Sequence, residues 1–346
     1  MWRFYYRLAR TLKMLYRYAH QMKKILSIDA GGVRGIIPAT ILAEIEARTG
    51  QPACNLFDFF AGTSTGGMLA LSLTCPDSPD CLRPSCSASD VKRLFHIWGN
   101  RVFGNRPSKT DELLTNRSPA SRIEDMFHEY FGDTLLSSSI KPTMVTAFNL
   151  ATRQPFFFNS AKTEGSGGVD ALMWQAARAT TAISPYFPPF RLPVLSSPFR
   201  QAHEVRLVDG SFFANNPAML ALAEARALFS DEDDFLLISL GCGEAARMPF
   251  PADSHQKRRH IFECSLIAQS ACVDYQMRAF LPAQRYIRIQ AELIPGFDRF
   301  DDASKENLLA IDEIARETIV RYAELLDYLV DILAPNPLES LELDVA

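Results

Sequence analysis

The sequence predicts an α/β fold with a mostly parallel central sheet flanked by helices. Three stretches carry that prediction, beginning at Ile25, Leu56 and Val205. Each is a short apolar run that reads as a buried strand, followed by a glycine-bearing turn and then a helical pattern. In open α/β sheets the carboxyl ends of parallel strands lie along one edge, where ligands bind. The three turns are therefore expected at one site.

The first stretch runs Ile25-Leu26-Ser27-Ile28 into Asp29-Ala30-Gly31-Gly32-Val33-Arg34-Gly35, with a helical pattern over residues 36–48. Glycines in such a loop let main-chain N–H groups approach an anion closely. Two anions fit, a dinucleotide pyrophosphate and a tetrahedral oxyanion. A dinucleotide site wants G-x-G-x-x-G and an acidic residue about twenty positions on, at the end of a second strand. Ala30 stands in the first glycine position, and no acid ends a strand at that distance. The loop reads better as an oxyanion hole.

In the second stretch, Leu56-Phe57-Asp58-Phe59-Phe60 reads as a strand and residues 68–73 open an apolar helix. Between them Gly62-Thr63-Ser64-Thr65-Gly66 frames a serine as G-x-S-x-G. A turn that sharp excludes side chains at the flanking positions and leaves the hydroxyl exposed. Ser64 also sits near a helix N-terminus, where N–H groups favour developing negative charge. Alone, the motif is equally an ordinary tight turn with a capping serine; its context makes Ser64 a candidate nucleophile.

The third stretch, Val205-Arg206-Leu207-Val208, brings Asp209 to a strand's carboxyl end, and Gly210 turns the chain. Asn215, Asn216 and Pro217 then start a helix over residues 218–228, with Pro in a favoured first-turn position. An Asp-Gly turn is commonly only a turn. Here it is expected to follow a parallel strand on the same edge as Ser64, which makes Asp209 a candidate base.

These residues resemble the patatin-like phospholipase family. The resemblance is carried by residues 29–35, by Gly62 to Gly67, and by Asp209-Gly210, in that order. Residues 177–189 and 237–243 support it. It is strong over about residues 25–245 and looser to about 335. It implies a three-layer patatin-like fold, a lipid acyl hydrolase with a Ser-Asp dyad, membrane phospholipids as substrate, and no cofactor or metal. Carried over, Ser64 is the nucleophile and Asp209 its base. Gly31 and Gly32, with Gly35, form the oxyanion hole, and Arg34 helps hold that loop. Gly62, Gly66 and Gly210 support the turns. The family loop usually has three glycines after the aspartate. A methyl at Ala30 restricts the backbone but removes no N–H donor.

Composition agrees with an enzyme body: 346 residues, 47% hydrophobic and 22% charged, bury a full core. No apolar run approaches the roughly 18 residues that span a bilayer. Seven cysteines at irregular spacing argue against a secreted disulfide framework, so the expected setting is the cytoplasm, with action at the inner face of the cell membrane. Cys75, Cys81 and Cys86 cluster but lack the C-x-x-C pair of a zinc site. DNA and RNA are not expected partners.

The chain divides into residues 1–24, a domain over 25–335 and an acidic tail over 336–346. All 40 acidic residues follow position 24, while the first 24 residues carry Arg3, Arg7, Arg10, Lys13, Arg17, Lys23 and Lys24. Trp2, Tyr5, Leu8, Leu12, Leu15 and Ala19 form a helical stripe beside them. A basic amphipathic helix suits an anionic membrane surface; docking on the body or on a second copy in a homo-oligomer is the other reading. Residues 142–149 and 155–159 read as core strands, 165–168 as a flexible connection before a helix over 169–179, and 261–280 and 306–333 as helices.

Two further readings concern mechanism and control. A Ser-His-Asp triad would use His255 or His260. Both flank Lys257-Arg258-Arg259, which reads as a solvated loop, and no His-Gly-Gly-Gly loop precedes Ser64. In size the chain also resembles bacterial patatin-like proteins of anti-phage systems, in which a cyclic nucleotide switches on a lipase against the cell's own membrane. That resemblance implies a cyclic di- or trinucleotide activator. Lys257-Arg258-Arg259, Arg285-Tyr286-Ile287-Arg288 and Arg106 are the candidate contacts, although such runs are more often solvated charge.

Overall fold

The computed structural model describes residues 22–104, 119–162, 170–184, 186–193, 205–245 and 253–334. The basic extension, the acidic tail, the glycine-rich connection at 165–168 and Arg106 lie outside them.

Strand β1 (Lys23–Ile28) and strand β2 (Phe59–Thr63) pair in parallel at the centre of an eight-stranded sheet. β7 (Phe235–Leu240) and β9 (Tyr286–Ile289) extend it in parallel on one side. β3 (Thr143–Asn149) extends it in parallel on the other. Two strands run the other way, β4 (Gln154–Asn159) and β6 (Val205–Asp209), both against β3, and β5 (Phe190–Leu192) pairs against β6 and so runs with β3. A small parallel pair, β8 (Glu244–Ala245) and β10 (Glu292–Leu293), lies apart. The strand before Asp209 is thus antiparallel, which corrects the expectation from sequence.

The near-continuous apolar runs of the strands follow from helices covering both faces. Along β1, β2 and β7 successive side chains alternate between two cores. Leu26, Ile28, Phe60, Ile238 and Leu240 join one, and Ile25, Phe59, Ala61 and Leu237 the other. The larger core is closed by α1 (Ile36–Thr49), α2 (Thr65–Thr74), α3 (Ala88–Gly99), α4 (Pro119–Phe131), α5 (Met173–Thr180), α8 (Lys305–Arg321) and α9 (Ala323–Leu333). The smaller is closed by α6 (Ala218–Leu228) and the end of α7 (Ser254–Phe280), through Val273 and Met277. The result is three layers.

Several boundaries differ from expectation. Leu56 ends a helical turn, Ala53–Leu56, started after extended Pro52, so β2 begins only at Phe59. Asp58 is tied there to the backbone N–H of Lys24 at 2.9 Å. The helix expected over 306–333 breaks into α8 and α9 at Tyr322, whose backbone (φ −103, ψ 20) leaves the helical range. The helix expected from 169 begins at Met173. Lys257-Arg258-Arg259 and both flanking histidines lie within α7, not in a loop.

Candidate active site

Ser64 follows the last residue of β2 and precedes the first of α2. Its backbone is strained, with φ 54 and ψ −120, in the region that favours glycine. The sharpness of the turn explains its glycines. A Cβ on Gly62 would lie 2.1 Å from Gly66 O, and one on Gly66 would lie 2.2 Å from Ile28 O. The Ser64 N–H donates to Thr180 Oγ1 at 2.8 Å, which braces the turn from α5.

Asp209 reaches the same place by another route. β4 pairs with β3 along Met144–Asn149, so the other edge of β3 is shared. β2 takes positions 143–146 of that edge and β6 takes positions 147–149. Thr63 therefore sits opposite Thr146 and Asp209 opposite Ala147, on consecutive positions of one strand. The two strands arrive from opposite directions and stop facing each other. Thr63 Oγ1 lies 2.7 Å from Thr146 Oγ1 and donates to Ala214 O at 2.7 Å. A Cβ on Gly210 would collide with Thr146 Oγ1 at 2.0 Å.

The Asp209 side chain is 3% exposed. Its Oδ1 accepts the Ser211 N–H at 2.8 Å. Its Oδ2 is buried with no hydrogen bond of good geometry, although the Ser64 hydroxyl is close enough to favour ionisation. Burial pushes the carboxyl up from 3.8 to about 6, against the hydrogen bonds from Ser64 and Ser211. A carboxylate so placed is ionised at neutral pH and still basic enough to take a proton.

The glycine loop lies across from Ser64. Ala30 N donates to Asn215 O and Val33 N to Phe300 O, each at 3.0 Å, and Thr65 Oγ1 donates to Gly32 O at 2.7 Å. Among the described residues no acceptor engages the Gly31 and Gly32 amides, and both residues line the cleft beside Ser64. The Ala30 amide is engaged elsewhere, so its methyl takes no donor from the loop. Gly32 has φ 58, and a Cβ there would lie 2.2 Å from Phe300 O. Arg34 holds the loop as expected, donating to Gly31 O at 3.3 Å and Asp298 O at 3.1 Å; burial lowers its pKa. Gly35 does not line the cleft. It allows close packing, since a Cβ there would meet Thr65 Cγ2 at 2.1 Å.

The cleft has an empty volume of about 1330 Å³, open mouth included. Its lining combines apolar side chains, among them Met68, Phe95, Trp98, Ile123, Met126 and Phe127, with polar ones such as Glu263, Ser270 and Gln290. His260 is not among its lining residues, and Arg288 is bound to Asp29 and Arg285 to Asp234. Among the described residues no group of three or more His, Cys, Asp or Glu is placed to hold a metal ion. Cys86 accepts the Tyr130 hydroxyl at 3.0 Å. No described helix is long and apolar enough to cross a membrane. Thr180, Thr65 and Phe300 brace the site, and the sequence reading assigned none of them a role.

The chemistry this sheet edge supports is acyl transfer to a serine, and the class is serine acyl hydrolase. The family described as Patatin-like phospholipase matches residues 26–222, and the chain belongs to it. It is 30% identical to Patatin-like protein 2 of Arabidopsis thaliana over 345 residues, covering 86% of this chain and 84% of that one. It is 27% identical over 330 residues to a Solanum tuberosum protein named "Probable inactive patatin-3-Kuras 1", covering 86% and 87%. These relatives are plant proteins, not the bacterial anti-phage effectors that the chain resembles in size. Human GIVD cytosolic phospholipase A2 shows a distant likeness, with TM-score 0.45 and 12% identity over 94% of this chain and 63% of that one.

Proposed function

We propose that the chain hydrolyses acyl esters of membrane phospholipids with Ser64 as nucleophile and Asp209 as its base. The observation that carries this reading is the register of β3, which places the residue before Ser64 and Asp209 itself opposite consecutive positions. Because one relative bears an inactive name, the reading leans on the paired geometry as well as on family membership.

Ser64 Oγ attacks the ester carbonyl carbon while its proton passes to the Asp209 carboxylate. The carbonyl oxygen becomes an oxyanion, held by the Gly31 and Gly32 amides and the dipole of α2. Collapse breaks the bond to the glycerol oxygen, which leaves with the proton from Asp209. Water then attacks the acyl-serine, giving one proton to Asp209, and the released serine recovers it. No imidazole is required, and the place of His260 outside the cleft lining favours a dyad over a triad. The apolar residues of the cleft lining suit an acyl chain.

Activation by a cyclic di- or trinucleotide gains no support from Arg285 and Arg288, which are engaged by carboxylates within the body. The reading adopted is therefore hydrolysis without nucleotide control. It is tested by mass spectrometry of lipids incubated with the purified chain and with its Ser64→Ala variant, each with and without a panel of cyclic nucleotides. Fatty acid and lysolipid should appear only with the unaltered chain and at a rate the nucleotides leave unchanged. Release by Ser64→Ala would remove the reading, and nucleotide-dependent release would restore the regulated one.

A further inference from the structure

The Asp29 carboxylate stands directly before the glycine loop, is 2% exposed, and takes part in none of the steps above. Arg288 grips it with a two-pronged contact: Nη1 donates to Oδ1 at 2.9 Å and Nη2 to Oδ2 at 2.5 Å. Nη1 also donates to Ser239 Oγ at 2.7 Å. The sheet register explains the meeting. Ser27 pairs with Ser239 and Ser239 with Arg288, so all three side chains share one face. Asp29, two positions beyond Ser27, continues that face. The Arg288 side chain is only 7% exposed although β9 lies at the end of the sheet.

Asp29 is fixed at its main chain too. Its N–H donates to Leu240 O at 3.0 Å, and its carbonyl accepts the Cys242 thiol at 3.3 Å. Burial pushes that thiol up to about 12, so it remains a donor at any ordinary pH. Burial works against the charge on both partners, raising the Asp29 carboxyl and opposing the guanidinium, while their mutual attraction and hydrogen bonds favour the charged pair. Gly31 packs on the same cysteine, since a Cβ on Gly31 would lie 2.2 Å from Cys242 Cβ. From this fixed point the chain runs through Ala30 to Gly31 and Gly32. Their amides must meet the oxyanion at about 2.7–3.1 Å to stabilise it.

We propose that Arg288 is a positioning residue for hydrolysis: its two-pronged hold on Asp29 sets the direction of the Gly31 and Gly32 amides toward the oxyanion. The inference rests on the assignment of Ser64 as nucleophile. The competing role is purely structural, because breaking a buried ion pair from one side is strongly destabilising. The two roles differ in what they change. Misdirected amides weaken binding of the transition state and leave binding of the ester unchanged.

The test uses the full chain, a soluble p-nitrophenyl ester, and a trifluoromethyl ketone whose reversible adduct with a serine bears an oxyanion. Arg288→Lys keeps the charge but loses the planar fork, and Asp29→Asn with Arg288→Gln removes both charges together. Each folded variant should lose at least about 30-fold in kcat with KM changed less than about threefold. The ketone should weaken by the same factor as kcat/KM. Turnover near the unaltered value in a folded variant, or undiminished ketone affinity beside a fallen kcat, would overturn the inference. If neither variant folds, Ser239→Ala decides, because it leaves the ion pair and removes one hydrogen bond from Arg288. A fall of about threefold or more in kcat at constant KM supports the inference, and an unchanged kcat ends it. Ser64→Ala in the same assay tests the underlying assignment separately: turnover by that variant would relocate the nucleophile whatever Arg288 does.

Discussion

Thr65 Oγ1 donates to Gly32 O at 2.7 Å, tying the residue after the candidate nucleophile to the loop that faces it. This bond helps set the gap between the Ser64 hydroxyl and the glycine amides. Thr65→Val keeps the branched shape that packs on Gly35 and removes only the hydroxyl. It should lower kcat about tenfold with KM nearly constant, because one buried carbonyl loses its donor and the loop relaxes. Steady-state kinetics on a soluble ester check this; a change confined to KM would assign the bond to substrate binding.

Ser64 holds a conformation that favours glycine, and such strain is worth on the order of 1–3 kcal/mol. Ser64→Ala and Ser64→Gly should both be inactive, with kcat down by about a thousandfold or more. They should differ in stability. The glycine variant is expected to melt above the alanine variant by about 1–3 °C, since relief of strain exceeds the entropy that glycine loses on folding. Equal melting temperatures would show that the turn is not strained in solution.

The raised pKa of Asp209 gives two linked expectations. Activity should fall on the acid side through about pH 6, as the base becomes protonated. For stability the sign is the reverse of the usual aspartate case. Between about pH 4 and 6 the folded chain binds more protons at this site than the unfolded chain, so ionisation destabilises the fold as pH rises. Asp209→Asn should therefore be inactive yet more stable than the unaltered chain at pH 8, by up to about 3 kcal/mol, with little difference at pH 4. Chemical denaturation at the two pH values measures this, and a variant less stable at pH 8 would contradict it.

Changing His255 and His260 together to Ala should leave ester hydrolysis within about threefold of the unaltered rate, because a carboxylate within reach of the hydroxyl is base enough. Collapse of the rate in a protein with unchanged circular dichroism would bring a histidine into the mechanism.

The candidate site was legible in the sequence where it depends on sharp turns, because turns select glycine and leave a local signature. Ser64, Asp209, Gly31 and Gly32 were found that way, and the structure brings them to one edge. Gly35 was legible as a glycine, but the sequence could not tell an open amide from close packing against Thr65, which selects glycine as firmly. Strand direction left no signature, so the antiparallel course of β6 was missed. Arg288 was read, with Arg285, as a candidate nucleotide contact or plain solvated charge. Its partner lies 259 residues earlier, and no local pattern records that distance. The bracing carbonyl of Phe300 was hidden for the same reason, and Thr180 lay in a supporting stretch whose contact with Ser64 no local pattern records.

The meeting of β2 and β6 on one edge of β3 bears on how an active molecule is made. Thr63 and Asp209 are 146 residues apart, and the second is delivered by a strand held to β3 through three residue pairs. Slippage of β6 by one residue would move Asp209 about 3.3 Å along β3 and turn its side chain to the opposite face. Such a chain would lose Leu207 from the larger core but keep the central strands β1, β2 and β7 and the helices that cover them, and it would be inert. Catalytic competence is thus a stricter criterion than foldedness here, so the active fraction of a preparation reports the fidelity of one long-range strand pairing.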